Sequence, residues 1–177
     1  MIEIPFLTTE AAFAALWILV RLAVWLRQKH IDRKREVLLL LMYVNLAVII
    51  RLTFFPMSRA GGTVRPLVLD PAAVYPFRIN VIPFINLFDY DSMRDLLLNV
   101  AGNIFLFIPT GILLPILYRK LNTFVKVTVT GVLLSLCFEL LQLPFFDRVT
   151  DIDDLILNTV GVIIGYMICS GIKRTRR

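Results

Sequence analysis

The chain has 177 residues, of which 58% are apolar and 18% charged, with a mean hydropathy of +0.79 and a net charge of +6. Soluble domains carry about a quarter charged residues, so too little polar surface remains here to coat a globule in water. A soluble enzyme with one anchor and an intrinsically disordered chain are both excluded. The composition predicts an all-α integral membrane protein.

Five apolar runs of spanning length follow in chain order, at about 7–26, 37–56, 95–118, 124–143 and 153–172. No Lys or Arg precedes Arg21, so the N-terminus lacks the basic region of a cleaved signal peptide. The first two spans are joined by the basic linker RQKHIDRKRE, and the second and third by a long loop, 57–94. Short loops follow, and the chain ends on KRTRR. The expected organisation is a first span with its linker, 1–36, and a four-helix membrane domain, 37–177.

Charge placement sets the expected orientation. The first linker carries five Lys and Arg, the loop after the third span three, and the tail four, all on one side of the membrane. The other side has Arg59, Arg65, Arg78, Arg94 and Arg148, spread over more than twice as many residues. The positive-inside rule then puts the N-terminus outside and the C-terminus in the cytoplasm. Basic residues so placed signal topology and not nucleic acid. Cys137 and Cys169 lie inside apolar runs and read as small buried hydrophobes, not as a disulfide. The sole histidine, His30, sits in the basic linker, which argues against histidine zinc sites and Ser-His-Asp chemistry.

Within the long loop, Val74–Phe88 reads VYPFRINVIPFINLF. Pro76 and Pro83 forbid a regular spanning helix there. An interfacial segment in the headgroup region is one reading, and a re-entrant lid between the helices is the other.

Polar residues inside spans carry the information, because each costs free energy there unless paired. On the fifth span Asp151, Asp154, Asn158, Gly161 and Gly165 fall within an arc of roughly 80°. Gly131, Ser135, Glu139 and Gln142 do the same on the fourth, and Asn99, Gly102, Asn103 and Thr110 share a face of the third, which Pro109 could bend. Stripes of small residues predict where these helices pack. By helical rise, Glu139 lies roughly 6 Å, Arg51 roughly 7 Å, Asn158 roughly 9 Å and Asn103 roughly 13 Å below the outer ends of their spans. These groups therefore share one level, which predicts a polar pocket open to the outer face. Arg51 needs a carboxylate or phosphate, and Glu139 is the partner at its level. Asp151, Asp154 and Glu139 could hold an ammonium group or a divalent cation such as magnesium, although no cofactor is required. Arg21 is expected to snorkel to the inner surface. Glu10 is either a solvated helix-start carboxylate or a member of the pocket.

In this order the residues resemble the VanZ-like family. The matching pieces are Asn80-Val-Ile-Pro83-Phe84, then Asn99-Val-Ala-Gly102-Asn103 leading to Phe107-Ile-Pro109-Thr-Gly111, the stretch SLCFELLQ from Ser135 to Gln142, and the run Arg148, Asp151, Asp154, Asn158, Gly161. The resemblance covers about 40–170 and places the family motif on Asn80, Pro83, Asn99, Asn103, Glu139, Gln142, Arg148, Asp151, Asp154 and Asn158. It implies a bacterial cytoplasmic membrane protein that lowers sensitivity to teicoplanin-type glycopeptides without changing the D-Ala-D-Ala end of the wall precursor. It implies a process and names no reaction.

Three functions compete on these residues. A pocket of mixed sign at headgroup depth suits a lipid-linked wall precursor, whose headgroup carries pyrophosphate, amine and carboxylate groups. A membrane-embedded hydrolase or transferase would use Glu139 or Asp154 as general base, but the chain offers no distinctive nucleophile or metal signature. A small-solute transporter would need polar groups through both halves of the membrane, and the inner halves of the last three spans are apolar.

Overall fold

The computed structural model describes residues 2–28, 30–55, 64–69, 78–85, 92–145 and 148–175. Within them lie five helices, α1 (Phe6–Arg27), α2 (Arg33–Phe54), α3 (Met93–Leu117), α4 (Phe124–Gln142) and α5 (Ile152–Thr175). Each is long and apolar enough to cross a membrane. Four short strands accompany them: β1 (Ile2–Ile4), β2 (Leu67–Leu69), β3 (Ile79–Asn80) and β4 (Thr150–Asp151). The chain divides into two compact units, Met1–Tyr75 with Pro144–Asp147, and Pro76–Leu143 with Arg148–Arg177. Of the predicted loop segment Val74–Phe88, residues 78–85 are described, and 74–77 and 86–88 lie outside the described residues.

The first unit is an α1–α2 hairpin with a small strand pair. The second helix begins ahead of the sequence boundary at 37 because Asp32 caps it, accepting hydrogen bonds from Lys34 N at 3.0 Å and Arg35 N at 3.3 Å. That early start places Glu36 in a helical first turn, where it meets Arg21. Arg21 therefore does not snorkel. It is buried and pairs two-pronged with Glu36, its Nε donating to Oε2 at 2.9 Å and its Nη2 to Oε1. Aromatic contacts join the two helices, with Tyr43 stacked on Phe13 at 5.2 Å and tilted against Trp17 at 5.0 Å. Antiparallel pairing of β1 with β2 sets Ile2 opposite Leu69. Phe55 and Ile49 are the fully buried apolar residues of this unit.

In the second unit, glycines decide how the helices meet. A Cβ on Gly161 would run into the Ile104 carbonyl, and one on Gly165 into the Ile108 carbonyl. The constant offset means that α5 runs parallel to α3 with backbones in direct contact. Gly111 repeats this from the other side, against the Val162 carbonyl. The fourth helix runs antiparallel to α5, since Gly131 packs on Val162 while Ser135 reaches Asn158 nearer the other end. Small residues on these stripes thus let the helices close together, as small-xxx-small spacing does in membranes. Pro109 and Pro115 sit inside α3, which stays helical through both.

Cys169 is buried, whereas Cys137 is exposed, because it lies off the packed face of α4 that carries Gly131, Ser135 and Glu139. The expectation of two buried cysteines is corrected for Cys137. Both thiols are free.

The glycine contacts give a test. Gly161→Val and Gly165→Val should each lower stability by about 1–3 kcal/mol, the usual cost of overpacking. Gly102→Ala should be tolerated, since a Cβ there meets nothing within 4 Å. Thermal denaturation in detergent distinguishes the three.

Candidate functional site

The polar residues of the second unit gather where α4 ends and α5 begins. Glu139 and Gln142 occupy the last turns of α4 and are buried, 2% and 4% exposed. The chain then passes Arg148, half-buried, and enters β4, whose Thr150 hydroxyl donates to the Glu139 carbonyl at 2.8 Å. Asp151 N–H donates to Glu139 Oε2 at 3.0 Å. The side chain of Asp151 accepts from Asp153 N at 3.0 Å, the kind of contact that satisfies a helix's orphan donors. Carboxylates therefore crowd the start of α5 for a local reason, since the positive end of the helix dipole favours them there.

The segment 78–85 closes onto the same place. Ile79 and Asn80 pair in parallel with Thr150 and Asp151. Thr150 N donates to the Arg78 carbonyl at 3.0 Å, and Asn80 Nδ2 donates to Asp151 Oδ1 at 3.0 Å. Phe84 N donates to Asp153 Oδ1 at 2.7 Å. Phe84 has φ of 64°, a left-handed conformation uncommon for an aromatic residue and held here by that bond.

From α3, Asn103 Nδ2 donates to Asp154 Oδ1 at 2.5 Å. One turn further along α5, the buried Asn158 donates from Nδ2 to Ser135 Oγ at 2.9 Å, while its Oδ1 is buried without a hydrogen-bond partner. Glu139 and Asp154 lie close enough to feel each other's charge and that of Asp151.

Of the ten candidates read from the sequence, Asn80, Asn103, Glu139, Asp151, Asp154 and Asn158 each bond to a protein group within this one unit. Gln142 is on α4 one turn past Glu139, and Asn99 is half-buried on α3 one turn before Asn103. Arg51 belongs to the first unit. Its Nη1 donates to the Phe55 carbonyl, its guanidinium lies 5.0 Å from the centre of the Phe6 ring, and it feels the charge of Glu10. Glu10 is half-buried in that unit, with one carboxylate oxygen lacking a hydrogen-bond partner. Among the described residues no group of three or more His, Cys, Asp or Glu side chains converges as a metal site would require.

Sequence reasoning missed Asp153, which is buried and fastens Phe84. It stands off the three-and-four stripe of α5, so periodicity passed over it. An acid two residues after another acid at a helix start was the available signal.

Comparison with known proteins bears on this arrangement. The model of the VanZ/LLP1 family matches residues 37–174. This chain belongs to that family. Protein VanZ of Enterococcus faecium is 36% identical over 87 residues, which cover 49% of this chain and 49% of that protein. The chain thus spans about half the length of the curated relative it matches. No solved structure matches it. With five apolar helices, this VanZ-like chain is a multi-pass membrane protein. The match begins within α2 and takes in every helix that supplies the polar cluster.

A double-mutant cycle on Ser135→Ala and Asn158→Ala should return a coupling of about 0.6 kcal/mol, the average for interhelical hydrogen bonds in a membrane protein, and at most about 1.7 kcal/mol. Denaturation in detergent of the two single variants and the double variant gives that number, and a coupling near zero would show the bond to be idle.

Proposed function

We propose that this protein binds a cell-envelope molecule, a lipid-linked wall precursor, in a polar pocket on the outer side of the bacterial cytoplasmic membrane, and so lowers sensitivity to teicoplanin-type glycopeptides. The observation that carries the reading is the gathering of Asn80, Asn103, Glu139, Asp151, Asp154 and Asn158 at one end of α3–α5. Carboxylates and amides at that spacing offer acceptors for ammonium and hydroxyl groups and donors for carboxylate or phosphate oxygens. Arg148, in the segment leading to β4, adds a guanidinium suited to phosphate or carboxylate.

The reading needs that end of the helices to face outward. The excess of Lys and Arg in the linker, the α3–α4 loop and the tail favours this orientation. A reporter fused to the C-terminus should therefore be active in the cytoplasm, and an externally active fusion would remove the basis of the proposal.

Function is tested by expressing wild type and Glu139→Gln at matched levels in a teicoplanin-sensitive Gram-positive host. Wild type should raise the inhibitory concentration, and the variant should lose that protection while still reaching the membrane. Equal protection by both proteins would separate the process from this site.

A further inference from the structure

The segment 78–85 shows a division that the proposed pocket does not use. Apart from the exposed Arg78 side chain at its start, its polar groups turn inward. Asn80 bonds to Asp151, Ile82 N donates back to Asn80 Oδ1 at 3.2 Å, Phe84 N is taken by Asp153, and the Arg78 carbonyl by Thr150. Its apolar side chains turn the other way. Val81 is 69% exposed, Ile82 57%, Ile85 48%, and Ile79 and Phe84 46% each. A water-facing loop does the reverse, offering backbone and polar side chains to solvent and hiding its large hydrophobes. A segment whose Asn80 side chain, Ile82 and Phe84 N–H groups and Arg78 carbonyl are all taken up within the protein, while it presents Ile, Val and Phe, suits a medium that supplies few hydrogen bonds.

Position names that medium. The strand pairing of β3 with β4 ties the segment to the residue just before α5, so it sits at the end of a membrane-crossing helix. An apolar surface at a helix end meets the boundary between headgroups and acyl chains, where aromatic residues collect. Flanking sequence continues the theme, with Tyr75 and Phe77 before it and Leu87 and Phe88 after.

We infer that residues 79–85 form a lipid-inserted element whose side chains enter the acyl boundary of the bilayer, with Asp153 as the positioning residue that fastens it to α5. The partner is the lipid surface itself. The inference rests on the membrane spans and this local geometry, not on any ligand for the polar cluster.

The test uses spin labels on the full chain in vesicles of phosphatidylethanolamine and phosphatidylglycerol, with Cys137→Ser and Cys169→Ala as the background. Nitroxides are placed through Val81→Cys and Ile82→Cys, with Thr123→Cys, exposed at the start of α4, as the aqueous reference. Collisions with oxygen, which concentrates in lipid, are compared with collisions with a water-soluble nickel chelate. At positions 81 and 82 the oxygen-to-nickel ratio should exceed that at 123 severalfold. A ratio equal to the reference would place the segment in water and overturn the inference. Exclusion of both reagents would mean that protein covers it, and would overturn it too. Adding Asp153→Ala should raise nickel access and label mobility at position 82 while the spectrum at 123 is unchanged. No change at 82 would remove Asp153 from the fastening role.

Discussion

The distance between α3 and α5 governs the second unit. Gly161 and Gly165 bring the α5 backbone onto the Ile104 and Ile108 carbonyls, closer than any side chain would permit. Asparagine and aspartate side chains are short, and Asn103 reaches Asp154 across a gap that only this approach leaves. Gly131 does the equivalent work for α4, bringing it against Val162 so that Ser135 and Asn158 meet. Between helices in lipid there is no hydrophobic drive to association, and packing and hydrogen bonds must supply it. The glycine contacts and the polar contacts therefore support each other.

The cluster is acidic for reasons that begin with the backbone. A helix start leaves its first N–H groups without partners, and β4 turns into α5 with Asp151, Asp153 and Asp154 at that point. One acid takes a neighbour's N–H, another takes Phe84 N, and Glu139 from α4 takes Asp151 N. Each carboxylate is thus held at a fixed position by neutral donors, and their mutual repulsion is offset by those bonds and by the dipole of α5. Rigid acceptors of this kind are what a binding site requires.

How much of this was legible depends on the signal each part leaves. Hydropathy gave five spans whose ends fall within a few residues of the helices, and the one notable shift, at α2, follows from the Asp32 cap. Helical spacing put Asp154, Asn158, Gly161 and Gly165 on one stripe, and the structure packs that stripe against α3 and α4. Periodicity reports faces, however, and not partners. It could not show that Arg21 meets Glu36, nor that Asp153, off the stripe, would reach a backbone amide nearly seventy residues earlier. Cys137 looked buried because apolar surroundings in the sequence do not distinguish a packed neighbour from lipid.

The opposite end of the same three helices bears on what the polar end can do. There the buried residues include Leu113, Leu114, Pro115 and Leu117 of α3, Val127 of α4 and Cys169 of α5, with the Thr128 hydroxyl as a buried polar atom. A solute moving along the bundle from the polar cluster would leave its hydrogen-bonding partners and enter closely packed hydrocarbon, at a cost of several kcal/mol for each unpaired polar group. Transport needs groups that hand a solute onward, and the side-chain pairs Asn103–Asp154 and Asn158–Ser135 lie toward one end, while at the other Lys173 Nζ donates to the Pro115 carbonyl at 3.4 Å. An arrangement with its buried carboxylates and amides at one end and mostly apolar packing at the other suits a ligand that arrives and leaves by the same side. A headgroup tethered to a lipid in one leaflet, as the proposed function has it, would be such a ligand, because its tail would stay in the bilayer while its polar part met the helix ends.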